Sequence, residues 1–173
     1  MIRLANNLDL LDILKITKDA KDLFKSKGST QWQDIDGYPN KETFLNDINN
    51  KNLYVYSIND KILGFCVISF DEDCNYDTID GSWINLDKYA VIHRIATDKD
   101  AYNQGIASKF FKYAEELAIQ NNVYNIKVDT AFENDIMLHL FSKHGYKKCG
   151  VIMLKRDTVL DKRRYAFQKI LKK

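Results

Sequence analysis

Residues 89–130 read "YAVIHRIATDKDAYNQGIASKFFKYAEELAIQNNVYNIKVDT". The first nine are rich in β-branched and apolar side chains, and alternation places Val91, His93, Ile95 and Thr97 on one face of a strand. A polar, turn-like run from Asp100 to Gln104 follows. The spacing of Ile106, Phe110, Ala114 and Leu117 then predicts a helix over 104–120 with those residues inward. "VYNIKVDT" reads as a second strand. A strand, a helix and a strand at this length fit a parallel crossover. In such a unit the helix begins at the end of the first strand, where ligands of open α/β sheets bind. Gly105 stands at that helix start, although Ser, Thr, Asp or Asn would cap it better. A helix N-terminus offers unpaired N–H groups and partial positive charge, which suit phosphate. Gly105 has no Cβ to hold a phosphate away, and Ala107 and Ser108 keep the first turn slim. Helix–sheet packing is the other reason for a glycine there.

On the N-terminal side, "IRLA" (2–5) reads as a short strand. Asn7 or Asp9 caps a helix from Leu8 to about Phe24, and "KETFLNDINN" is a second, shorter helix. "NLYVYSI" and "KILGFCVISF" form a hairpin turning at Asn59-Asp60. "QWQDIDGYPN" and "DEDCNYDTIDGSW" are polar loops. On the C-terminal side, "ENDIMLHLFSKHG" is a helix ended by Gly145. "YKKCGVIML" and "RRYAFQKIL" are an antiparallel strand pair. One domain over 1–173 is expected, since 173 residues make one sizeable core but not two.

A net charge of +2 gives no reason to expect a nucleic acid partner, and no apolar run approaches the ~20 residues of a membrane span. The start, "MIRLANNLDLL", is a poor signal peptide. Cys66, Cys74 and Cys149 are widely spaced, without the pattern of a disulfide framework or a zinc site. These features predict a cytoplasmic protein without a metal.

The dinucleotide fingerprint and the P-loop are both absent. The stretch "HRIATDKDAYNQGIASKFFKYAEELA…VYNIKVDTAFENDIMLHLFSKHGYKKCGVI" instead resembles the acetyl-CoA-binding half of the GNAT superfamily of N-acetyltransferases. Gly105, Ala107, Asn134, Gly145 and Tyr146 match its ordered motif over about residues 53–153. Tyr102 stands where Gln or Arg is usual, and Asn103 where a second Gly is common. The resemblance implies an α/β (α+β) fold. Its sheet is mixed and mostly antiparallel, with about six to seven strands and about four helices. It also implies binding of acetyl-CoA. The loop and first turn, Tyr102, Asn103, Gln104, Gly105, Ile106, Ala107 and Ser108, would hold the pyrophosphate, with the N–H groups of 104–108 as donors. The backbone of Ile95, Ala96 and Thr97 would pair with the pantetheine arm. Asn134 would hydrogen-bond the cofactor or cap its own helix, or do both. Phe141 would lie near the thioester, where many relatives carry a Tyr that protonates the leaving thiolate.

The implied chemistry is acetyl transfer from acetyl-CoA to a primary amine, with a small-molecule amine as acceptor and a homodimer left open. A backbone N–H, that of Ile95, would bind the carbonyl oxygen. His93 is the imidazole on the same strand. With an ordinary pKa of about 6.5 it suits general base work, and a buried His bonded to the sheet is the equal alternative. Trp32, Tyr38 and Trp83, with the carboxylates of the two polar loops, suit a cationic amine; packed anchors in solvated acidic loops are the plainer reading. The lack of a hydroxyl at Phe141 keeps a second class open, a non-catalytic acyl-CoA-binding domain on the same scaffold.

Overall fold

A computed structural model describes residues 1–172. In chain order it contains β1 (Ile2–Leu4), α1 (Leu10–Ser26), α2 (Lys41–Asn49), β2 (Leu53–Ile58), β3 (Lys61–Ser69) and β4 (Asp80–Gly81). Then come β5 (Ala90–Thr97), α3 (Ile106–Gln120), β6 (Asn125–Thr130), α4 (Asp135–Lys143), β7 (Lys147–Met153) and β8 (Arg163–Ile170). The strands form one sheet in the order β1-β2-β3-β5-β6-β8-β7-β4. Only the β5–β6 pair is parallel, and α3 is its crossover. The mixed, mostly antiparallel sheet with four α-helices is the architecture that the sequence implied.

The sheet has eight strands among the described residues, one more than the upper expectation. The addition is β4, a two-residue strand in what reads as a polar loop. Asp80 and Gly81 pair with Val151 and Gly150 of β7. A Cβ on Gly81 or on Gly150 would strike the facing backbone, so both positions need glycine to pair this closely. Such a strand carries no apolar alternation and leaves no trace in a hydrophobicity pattern. The rest of that loop is less solvated than its composition suggests. Tyr76 is buried there, and it packs with Trp83 and Tyr89.

Local rules account for the element boundaries. Asp9 holds the N-cap position of α1 without a capping bond of its own there; Asn6 caps the turn before it, accepting from the Leu8 N–H while Asp9 accepts from the Asn6 N–H. A single 3-10 turn, Asn7–Asp9, then leads into α1. Asn40 caps α2 in the same reciprocal way with Thr43. Asn59 and Asp60 both take positive φ, as a tight hairpin turn requires. Gly145 has φ +77 after the last residue of α4.

Each face of the sheet has its own core. On one face α3 and α4 bury Phe110, Phe111, Ala114 and Phe141 against Cys66, Ile68, Ile92 and Val128. On the other, α1 and α2 bury Ile13, Ile16 and Phe44 against Leu53, Val55, Phe65 and Val67. Beside Val91, Ile152 and Ala166 on this second face, the space is filled by Tyr76, the last residue of the short 3-10 helix Cys74–Tyr76.

Candidate active site

β5 and β6 pair only at Ala90–Ile126 and Val91–Lys127. Beyond that point the two strands separate. On the β6 side, the backbone of residues 92–97 has no strand partner among the described residues. β5 is also bulged. Phe65 faces Ala96 and Val67 faces His93, so Cys66 alone spans both Arg94 and Ile95. Arg94 takes φ +44, in the left-handed region. Its guanidinium holds it there: Nε and Nη2 donate to the two oxygens of Asp47 at 2.9 and 2.6 Å, and Nη1 donates to the Tyr38 hydroxyl at 2.6 Å.

The bulge corrects the expected alternation. Val91 and His93 lie on the α1 side of the sheet, whereas Ile95 packs with the α3 core. Thr97 pairs with Gly64, whose open side meets Ile106 and Phe110 of α3. His93 and Ile95 therefore do not share a face. They flank the opening from opposite sides.

A cavity of about 1050 Å³ occupies the separation and reaches both faces. Its α3 end is the helix N-terminus. Gly105 is the N-cap residue with φ +72, a conformation that explains the glycine before any ligand is considered. An ideal Cβ there would meet nothing within 4 Å, so the space beside it is open. No side chain caps α3 and no acid lies in its first turn. Among the described residues, none of the N–H groups of Gln104, Gly105, Ile106, Ala107 and Ser108 donates to a protein acceptor.

The opposite end is charged. Asp73 lies 3.4 Å from the Nε2 of His93. Asp129 accepts from the Tyr76 hydroxyl at 2.7 Å, and burial raises its pKa from the usual carboxylate value. Arg156 pairs with Asp34 at 2.6 Å and lies over the Tyr38 ring, 3.5 Å from its centre. Arg164 also lines this end. His93 is held neutral: burial first, then the neighbouring Arg94, push its pKa down to about 4, against the opposing pull of Asp73.

The sequence profile of the acetyltransferase (GNAT) family matches residues 15–146, well over half of the chain. This protein belongs to that family. The fold is similar over its whole length to a GNAT-family acetyltransferase from Streptococcus agalactiae 2603. That structure is 30% identical with a TM-score of 0.87, and the match covers 100% of this chain and 96% of the other. A putative acetyltransferase from Staphylococcus aureus Mu50 is 34% identical with a TM-score of 0.74, covering 99% of both chains. A putative streptothricin acetyltransferase from Bacillus anthracis, solved with acetyl coenzyme A, shares the fold at 20% identity. Its TM-score is 0.53 over 69% of this chain and 61% of that one. No curated protein sequence matches the chain.

Most of the GNAT residues singled out in the sequence converge on the cavity. Ile95, Ala96, Thr97, Tyr102, Asn103, Gly105, Ile106, Ala107 and Ser108 line it, as do His93, Asn134, Phe141, Trp32 and Tyr38. Gln104 does not; its side chain turns back toward the carbonyl of Asp100. Asn134 is a cap, accepting from the Met137 N–H, and its amide donates to Gln31. Phe141 is 1% exposed, wedged among Phe111, Tyr146 and Phe167. Trp32 is buried edge-on to Phe24. The Tyr38 hydroxyl is committed to Arg94, as above. Trp83 is not part of the site. It packs on Tyr76, and the Lys127 ammonium lies 4.1 Å from its ring centre. Of the acidic loop residues only Asp34 and Asp73 reach the cavity. None of the three cysteines lines it, and burial pushes the Cys66 thiol up, which leaves no thiolate nucleophile.

Sequence reasoning missed Arg94, Asp129, Arg156 and Arg164. Arg94 and Asp129 did leave a signal: each is a charged residue inside an otherwise apolar strand, where charge needs a partner or a purpose. Lys162, Arg163, Arg164 and Lys169 alternate with apolar residues as an exposed strand face would, yet Arg164 is 5% exposed.

Proposed function

We propose that this GNAT-family acetyltransferase moves an acetyl group from acetyl-CoA to a primary amine by direct attack, the amine being a small molecule. The observation that carries the reading is the run of unpartnered N–H groups at the start of α3. It opens on the same cavity that holds His93 and Asp73. Those N–H groups and the helix dipole fit a pyrophosphate. The unpaired backbone of 95–97 fits an extended, amide-bearing arm. A fold relative solved with acetyl coenzyme A supports the choice of ligand.

The bound thioester supplies an activated acyl group. The amine nitrogen bonds to its carbonyl carbon, the C–S bond breaks, and CoA leaves as a thiolate. His93, neutral at pH 7, takes the proton that the nitrogen loses, directly or through water. An N–H freed at the β5 bulge stabilises the carbonyl oxygen. Phe141 has no proton to give, so water protonates the thiolate. Its pKa near that of a free thiol, about 8.5, makes it a fair leaving group without help.

Two bonded loops border the acceptor end, which supports a small amine over a protein surface. The loops are joined by the Asp34–Arg156 pair and by the Ile35 N–H donating to the Thr158 carbonyl. The three cysteines are unpaired, which supports a reducing, cytoplasmic setting. No described helix is long and apolar enough to cross a membrane. No group of three or more metal-ligating side chains is present among the described residues.

The test is release of free CoA from acetyl-CoA with a panel of polyamines, amino sugars, amino acids and N-terminal peptides. Amine-dependent release is expected. Acetyl-CoA binding without release for any amine would leave a binding domain instead.

A further inference from the structure

Three arginines reach the acceptor end of the cavity, and two of them are spent. Arg94 is saturated by Asp47 and Tyr38. Arg156 places both of its bonds on one oxygen of Asp34. Arg164 differs. It is 95% buried, and its Nη1 donates to the backbone carbonyls of Asp161 and Arg163 at 2.6 and 2.7 Å. Among the described residues Nε and Nη2 donate to nothing, and no carboxylate is in direct contact with the guanidinium. Asp129, Asp161, Asp34 and Glu133 act on it only through space, and a buried guanidinium with unfilled donors is costly to hold without a use. The planar edge left free is the one that grips a carboxylate bidentately.

The position of Arg164 separates it from the α3 phosphate end. β8 pairs Arg164 with Ile152 and Ala166 with Asp129, and Ile152 and Ala166 belong to the cluster on the His93 face. β8 lies two strands from β5, roughly 10 Å away at ordinary strand spacing. Between them stands Asp129, and beside His93 stands Asp73. A cationic group is therefore favoured near β5 and β6, and an anionic group at β8.

We propose that the acceptor carries a carboxylate as well as its amine, and that Arg164 binds the carboxylate while the amine lies at His93. The substrate class is then an amino acid or short peptide with a free C-terminus. Neither a polyamine nor an amino sugar fits it. The inference rests on the acetyl transfer proposed above and narrows its acceptor.

Two measurements separate the inference from its base. The first compares steady-state CoA release with free amino acids and dipeptides against their C-terminal carboxamides. The acids should be preferred by about 10–100-fold in kcat/KM, the worth of a charge-assisted hydrogen bond pair. Arg164→Gln should bring that preference close to one, and Arg164→Lys should restore part of it. The second needs no turnover: calorimetric titration of the N-acetylated acids and N-acetylated amides, with CoA present. The acids should bind about 10–100-fold more tightly to the natural protein, and the Arg164→Gln protein should not distinguish them. Arg164→Gln gives up two bonds to backbone carbonyls and should melt lower, so thermal unfolding must show a cooperative transition above the assay temperature for each variant compared. Acid-selective binding without turnover would overturn the acetyl-transfer reading and uphold the carboxylate site. Turnover or binding that ignores the carboxylate would overturn the site and leave acetyl transfer standing. Failure of both acids and amides to bind would overturn the site as well.

Discussion

His93 shows how much one residue owes to its surroundings. Its pKa is brought down to about 4 by burial and by Arg94, while Asp73 pulls the other way. An unfolded imidazole titrates near 6.5. Between about pH 6.5 and 4 the unfolded chain therefore binds a proton at this position that the folded chain refuses, so stability falls as pH falls through that window. Urea unfolding at pH 7 and pH 5 should show the natural protein losing more stability than His93→Gln, which has no imidazole to protonate. Turnover should follow the same ionisation. The acidic limb of kcat/KM should lie well below pH 6, and His93→Ala should lower turnover by about 100-fold with acetyl-CoA affinity nearly intact. An unchanged rate in that variant would make His93 structural. Ala107 tests the other end of the cavity. It is half-buried in the first turn of α3, where an added acid favours the helix dipole. Ala107→Glu should keep or slightly raise the melting temperature and abolish acetyl-CoA binding by calorimetry. It is a cleaner probe than a substitution at Gly105, whose φ of +72 would add backbone strain of about 1–2 kcal/mol.

At the scale of elements, the bulge of β5 sets the geometry of the site, and α2 fixes the bulge from outside the cavity. The buried Asp47 of α2 and Tyr38 in the preceding loop together hold the Arg94 guanidinium. Arg94→Ala leaves Asp47 buried and unpaired, and should cost about 3–5 kcal/mol in urea unfolding. Asp47 already has its pKa raised by burial, and only the arginine opposes that. The α4 helix behaves differently. Phe141 lines the cavity, but it is first a core residue against Phe111, Tyr146 and Phe167. Phe141→Ala should destabilise the fold by about 3–5 kcal/mol, well beyond a mere loss of ligand contact. Phe141→Tyr should change turnover by less than about ten-fold, because the thiolate needs no protein acid to leave. A large gain would show that thiolate protonation limits the natural protein.

Across the whole molecule, the two loops beside the acceptor end are bonded to one another at Asp34–Arg156 and Ile35–Thr158. Asp34→Asn removes the charge that latches Arg156. It should raise the KM for the amine by about ten-fold while leaving the affinity for acetyl-CoA unchanged. Limited proteolysis should then cut more readily within residues 29–40 and 154–160. The cofactor half of the site was legible in the sequence because it is local. A strand, a glycine and a helix start are consecutive in the chain, and their spacing fixes which N–H groups are left free. Strand and helix positions were legible for the same reason, since alternation and 3.6-residue periodicity are properties of neighbours. β4 escaped because backbone approach at Gly81 and Gly150, not a hydrophobic pattern, makes it a strand. The face of Ile95 escaped because the bulge depends on Asp47, 47 residues earlier in the chain. The acceptor end was decided by tertiary structure alone. Asp34 meets Arg156 across 122 residues, and Tyr76 meets Asp129 across 53. Burial turns Arg164 from one basic residue in an exposed-looking run into a cation that no carboxylate touches among the described residues. Charge recognition is set by distance and dielectric in space, and neither is a function of separation along the chain.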